Sequence, residues 1–201
     1  GFLPGGLAER AQARRATIAS DNPPSAGDGI VSLAASARSA LDSGDARTAV
    51  DGLSAALAID PDDTRLWGRL AEAALAVRSG DDRSDFTETA QIAALNAYAT
   101  SRAADDRASA LVSLARALAR ADQSRPALTA YETGLELASS PEIRAEYEDL
   151  KRRKGFRVLN HTVEADGPSP RICVQLSESL VASGMDYADF VAVDGQAARA
   201  V

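Results

Sequence analysis

The sequence predicts a mainly α protein: an α-α superhelix of about three helix pairs plus a capping helix, followed by a partial β-sandwich segment. Three observations predict it. A block of small and large apolar residues nearly repeats, first as Gly44-Asp45-Ala46-Arg47-Thr48-Ala49-Val50 with Leu53, Ala56-Leu57 and Ile59-Asp60-Pro61-Asp62-Asp63, then as Leu66-Trp67 and Leu70-Ala71. Aromatic residues make up only 4% of the chain, so abundant alanine must supply the packing, which suits closely stacked helices. After Gly155 the apolar period changes from helical spacing to alternation.

The elements follow in order. Residues 7–19 suit a short helix with Leu7, Ala11 and Ile18 on one face and Arg10, Arg14 and Arg15 on a solvated one. Asp21 to Gly27, with Pro23-Pro24, reads as a linker, which makes 1–27 an N-terminal segment ahead of a repeat domain at 28–155. The first pair spans Ile30 to Asp63. Leu33, Ala37 and Leu41 line its first helix, which Gly44 ends by allowing a left-handed turn. Asp45 caps the second helix, where Ala49, Leu53, Ala56 and Leu57 recur at helical spacing, and Pro61 stops it.

The second pair begins near Thr64 with Trp67, Leu70 and Ala71. A lengthened turn at Ser79–Ser84 precedes a helix with Phe86, Ala90, Ala94, Ala97 and Tyr98; a longer surface turn adds little entropic cost. The third pair carries Leu111, Leu114, Ala115 and Leu118, then Ala127, Leu128, Tyr131, Gly134, Leu135 and Leu137, with Pro126 tolerated in a first turn. Ser140-Pro141-Glu142 starts a closing helix: a hydroxyl cap, a proline at the first position and a carboxylate at the positive end of the dipole. Lys151-Arg152-Arg153-Lys154 sits at its negative end and Gly155 terminates it, so a polar helix covers the last repeat.

From 156 to 201, Phe156-Arg157-Val158-Leu159, Ile172-Cys173-Val174-Gln175-Leu176 and Phe190-Val191-Ala192-Val193 read as strands, with Gly167-Pro168-Ser169-Pro170 as a turn. This stretch is too short for a sandwich of about seven strands and reads as the start of one, its edges unpaired.

Composition narrows function. The 201 residues are 45% apolar, enough for a core, and the net charge of −7 leaves no basic stripe for phosphates, so no nucleic acid partner is expected. Lys151 and Lys154 are the only lysines among 22 basic residues, a bias that fits a GC-rich genome. Cys173 is the only cysteine, which excludes an intramolecular disulfide and a cysteine metal cluster. No apolar run approaches the roughly 18 residues of a membrane span, so no direct insertion by this segment is expected. The opening Gly1-Phe2-Leu3-Pro4-Gly5-Gly6 lacks an initiator methionine and reads as part of a longer protein.

Chemistry is sparse. His161 has no histidine or cysteine at metal-ligand spacing and reads as structural or solvent-facing. Asp60, Asp62, Asp63, Asp81-Asp82 and Asp105-Asp106 lie in turns before helices, where capping explains them, and no calcium loop is present. Asn160-His161-Thr162 matches a glycosylation triplet that occurs often by chance. No enzyme, cofactor or metal is expected. In paired-helix repeats the first helix of each pair lines a concave groove, so Arg38, Arg65, Glu72, Arg116 and Arg120 are the polar residues expected to face a ligand.

The pairs 30–63, 64–101 and 108–141 resemble the tetratricopeptide family, whose repeat is about 34 residues. The lysine/asparagine clamp with which some tetratricopeptide domains hold a peptide carboxylate is not evident. The junction is more specific. Tyr131-Glu132-Thr133-Gly134-Leu135-Glu136-Leu137, Ile143-Arg144-Ala145-Glu146-Tyr147, Gly155-Phe156-Arg157-Val158 and Arg171-Ile172-Cys173-Val174-Gln175-Leu176-Ser177-Glu178 resemble the amino-terminal part of bacterial α2-macroglobulin family proteins. Asp186-Tyr187-Ala188-Asp189-Phe190-Val191 is similar to part of their first β-sandwich domain, and Gly1-Phe2-Leu3-Pro4 looks like the exit from the Apple-type domain that precedes the repeats in some members.

The resemblance covers about 28–201. It implies a truncated macroglobulin-like β-sandwich at 156–201 in a periplasmic or secreted, membrane-anchored protein that traps proteases. The expected partners are other domains of the parent chain, proteases or envelope proteins. Many members carry a Cys-x-x-Gln thioester; Leu176 stands three residues after Cys173, so Cys173 is not carried over as reactive. The alternative from a different class is a free-standing tetratricopeptide adaptor that binds a partner peptide in its groove.

Overall fold

The computed structural model describes residues 3–23, 27, 29–78, 83–164, 171–180, 192–193 and 196–197. Helices α1 (Leu7–Asp21), α2 (Ile30–Asp42), α3 (Ala46–Ile59), α4 (Thr64–Ala76), α5 (Arg83–Thr100), α6 (Ala104–Arg120), α7 (Ser124–Leu137) and α8 (Pro141–Lys154) precede strands β1 (Val158–Glu164), β2 (Arg171–Leu176), β3 (Ala192–Val193) and β4 (Gln196–Ala197). The chain divides into two compact units, 1–155 and 156–201. Most of the turn expected at Ser79–Ser84, the turn Gly167–Pro170, the run Asp186–Val191, the opening Gly1-Phe2 and Pro24 of the linker lie outside the described residues.

Local signals set the helix ends. Gly44 adopts φ +85° between α2 and α3, and Asp45 accepts the backbone N–H of Thr48 at 3.1 Å. Asp122 takes the same left-handed role between α6 and α7, with φ 57°; aspartate tolerates this region better than most residues. Asp63 caps α4 by accepting from Arg65 and Leu66 at 2.8 and 3.1 Å. Ser140 caps α8 by accepting from Ile143. Gly155 ends α8 with its N–H on the Lys151 carbonyl, and a Cβ there would press on that oxygen, so a larger residue would force this exit to shift.

From α2 to α8 each helix packs on its sequence neighbour, and α4 also touches α6. One core runs through the array, with Trp67, Leu53, Leu57, Leu114 and Leu118 among its fully buried large side chains. The Trp67 ring completes the turn after α3 by donating Nε1–H to the Pro61 carbonyl at 2.8 Å. Thr64 and Thr100 share a hydroxyl contact of 2.9 Å, which places the start of α4 beside the end of α5, as an antiparallel pair requires.

Helix α1 is part of this unit. It packs across α3 and α5, the second helices of successive pairs, and buries Leu7, Ala11 and Ile18. The buried Asn96 amide of α5 donates to the Ala11 carbonyl at 2.9 Å, and Arg10–Glu88 and Arg15–Asp62 pairs flank the contact. Covered by α4, α6 and α1, α5 buries polar Thr87, Gln91 and Asn96 together with Ala90, Ala93, Ala94 and Ala97. A helix enclosed on several sides has no need of a strong amphipathic stripe.

In the second unit β1 and β2 pair antiparallel, with a bulge between Val158 and Asn160. Their register puts Asn160, Thr162, Glu164, Arg171, Cys173 and Gln175 on one face and His161, Val163, Ile172 and Val174 on the other. The hairpin is amphipathic, yet every residue of β1 is exposed. Strand β3 pairs with β4 through Ala192–Ala197 and Val193–Gln196; Phe190 and Val191 of the expected third strand lie outside the described residues.

Candidate interaction surface

The leading helices α2, α4 and α6 carry the five polar residues expected to face a ligand, and the structure gives those residues different employments. Arg38 on α2 is exposed and lies 4.0 Å from Asp42 on its own helix, a pairing of little energetic weight. Arg116 and Arg120, one turn apart on α6, both reach other helices.

Arg120 serves the C-terminus of α4. That helix ends in an extended Val77 rather than a glycine, which leaves its last carbonyls without helical donors. The guanidinium supplies them, with Nη1 donating to Ala74 and Leu75 at 3.2 and 3.0 Å and Nη2 to Val77 at 2.6 Å. A cation at this end also opposes the negative pole of the dipole.

Arg116 ties α6 to α8. Its Nε and Nη2 donate to the Glu146 carboxylate at 2.9 and 2.7 Å in a two-point fork, and the Tyr131 hydroxyl of α7 donates to the same carboxylate at 3.0 Å. The fork holds the Glu146 pKa below the ordinary carboxyl range and raises that of Arg116. Burial, then the bond to Glu146, pushes the Tyr131 pKa up. A reciprocal pair completes the seam, with the Tyr147 hydroxyl of α8 donating to Glu132 of α7. These bonds tie α6, α7 and α8 together.

Arg65 and Glu72 are different. Both are exposed on α4, opposite its buried Leu66, Trp67, Leu70, Ala71, Ala73 and Ala74. Gly68 and Arg69, which the sequence reading passed over, share their stripe by the spacing 65, 68, 69, 72. Counting the helical offset from Arg65 would have found them. Glu146, Tyr131 and Glu132 carry no sequence signal that marks them as partners of Arg116 or Tyr147.

On the hairpin, Val163, Ile172 and Val174 are 62%, 46% and 43% exposed on the apolar face. Cys173 is a free, exposed thiol on the polar face. Among the described residues no cluster of histidine, cysteine, aspartate or glutamate could hold a metal ion, and no helix is long and apolar enough to cross a membrane. No protein-family model matches this chain, and no curated protein matches it.

Proposed function

We propose that the chain supplies a non-catalytic interaction and scaffold module of a bacterial α2-macroglobulin-like protease inhibitor of the cell envelope, periplasmic or secreted and membrane-anchored. One observation carries this reading. A helical array closed by a polar helix passes, after Gly155, into an amphipathic hairpin whose apolar face stands exposed. An isolated two-stranded hairpin is marginal in water, and an apolar strand face calls for a second sheet, the arrangement of a sandwich. The residue runs that resemble the macroglobulin family straddle this junction.

The parent reading frame tests the proposal. Repeated β-sandwich domains after this region, and a full-length product that blocks a protease on a large protein while sparing a small chromogenic peptide, are the expected results. A parent without such domains, or one that leaves proteolysis of the large substrate intact, overturns it. A second reading, a free-standing tetratricopeptide adaptor, is favoured by one feature: the exposed stripe of Arg65, Arg69 and Glu72 on α4. It predicts a parent that ends soon after this region and binds a partner peptide on its own.

A further inference from the structure

One residue of the β1–β2 hairpin is out of character with the face it stands on. Along the apolar face the ladder pairs Val158 with Leu176, His161 with Val174 and Val163 with Ile172. The opposite face pairs Asn160 with Gln175, Thr162 with Cys173 and Glu164 with Arg171, the last two joined by an ion pair of 2.5 Å. The other titratable groups of the ladder, Glu164, Arg171 and Cys173, therefore share the polar face, and His161 stands apart from them in the middle pair of the apolar one. It is also the single histidine of the chain.

Nothing around His161 on that face would stabilise a charge. Val174 lies across from it, Ile172 and Leu176 lie on the diagonals, and Val163 follows on its own strand. Arg157 and Glu178 stand beyond the open end of the ladder, and Glu164 and Arg171 serve the other face. Among the described residues the imidazole makes no ion pair or hydrogen bond. In the open hairpin His161 is exposed, so water hydrates either charge state of the ring. Under a second sheet the two states differ. A neutral imidazole brings one N–H into the apolar layer, whereas an imidazolium brings two donors and a charge.

We propose that His161 makes the covering of this hairpin depend on pH. The second sheet packs on the apolar face while the imidazole is neutral and lifts off as the ring takes up a proton in mildly acid solution. Imidazole is the side chain that ordinarily changes charge between about pH 5 and 8, so the response falls well above the range in which carboxylates such as Glu164 are neutralised. The sign follows from linkage: the open hairpin binds the proton and the covered one resists it, so closure is favoured at neutral pH and lost as pH falls. The proposal rests on the reading of the hairpin as one layer of a larger β-domain and adds to it what releases that layer.

The test is hydrogen exchange of the full-length parent at about pH 7.5 and about pH 5.5, each rate divided by the intrinsic rate at its own pH. One proton coupled to opening shifts the equilibrium by up to about ten-fold per pH unit. Protection of the β1 and β2 amides should therefore fall about ten-fold between the two conditions in the wild type, while amides of the helical unit keep theirs. His161→Leu continues the apolar row and should hold the hairpin protected to the same degree at both pH values. His161→Lys, charged at both, should leave it weakly protected at both. Wild-type protection that does not change with pH, or a fall that persists in His161→Leu, overturns the proposal and leaves the β-domain reading standing. Hairpin amides as unprotected in the parent at about pH 7.5 as in the 201-residue chain would remove the covering sheet itself, and the proposal with it.

Discussion

At the scale of the residue, the helix ends obey local chemistry. Gly44→Ala forces a side chain into the left-handed region at φ +85° and should lower unfolding free energy by about 1 kcal/mol, measured by urea denaturation. Trp67→Phe keeps most of the buried ring but leaves the Pro61 carbonyl unpaired, for a loss of about 1–3 kcal/mol in the same assay. The Glu146 carboxyl titrates lower in the folded chain than in the unfolded one, because of the Arg116 fork. Its contribution is therefore present above the unfolded carboxyl pKa and lost as pH falls through the folded value. Denaturation midpoints of wild type and Glu146→Gln should differ near neutrality and converge in acid; a constant difference would show that the fork does not act through charge. Gly44, Asp45 and Ser140 were legible in sequence because a cap acts within a few residues. The tasks of Arg116 and Arg120 were not, because their partners lie 30 to 46 residues away and only the packed array defines them.

At the scale of the element, α1 shows what periodicity tells and withholds. Its stripe of Leu7, Ala11 and Ile18 was readable, but the stripe does not name its neighbour, and the helix read as a segment ahead of the repeats lies across α3 and α5. The signal that could have placed it is α5 itself, where the buried polar Asn96 and Gln91 interrupt an alanine-rich helix that must be covered on several sides. Ile18→Ala removes a fully buried side chain and should cost about 2–4 kcal/mol. If α1 folds with the repeats, the loss appears in one cooperative transition followed by circular dichroism; a separate early transition with the main midpoint unchanged would detach α1 from the unit. The exit from α8 is equally demanding. Gly155→Ala drives a Cβ against the Lys151 carbonyl, so the last turn of α8 should open, seen as lost amide protection at Gly155's position and its neighbours.

At the scale of the whole molecule, two differently finished units share one chain. The helical unit buries a continuous core and closes it with a polar helix, as a repeat array must. The hairpin keeps Val163, Ile172 and Val174 exposed on the face that its own alternation prepared for burial. The alternation was legible from residues 156–176; what covers it was not, because a strand pattern states which face is apolar without stating the partner. The central claim, that this hairpin is one layer of a larger β-domain joined to a helical docking module, is tested most directly by hydrogen exchange. Amides of β1 and β2 should exchange at least about a hundred-fold more slowly in the full-length parent than in the 201-residue chain, a local stabilisation of about 2.8 kcal/mol. Equal exchange in the two, with the hairpin as open in the parent as in the shorter chain, would contradict it.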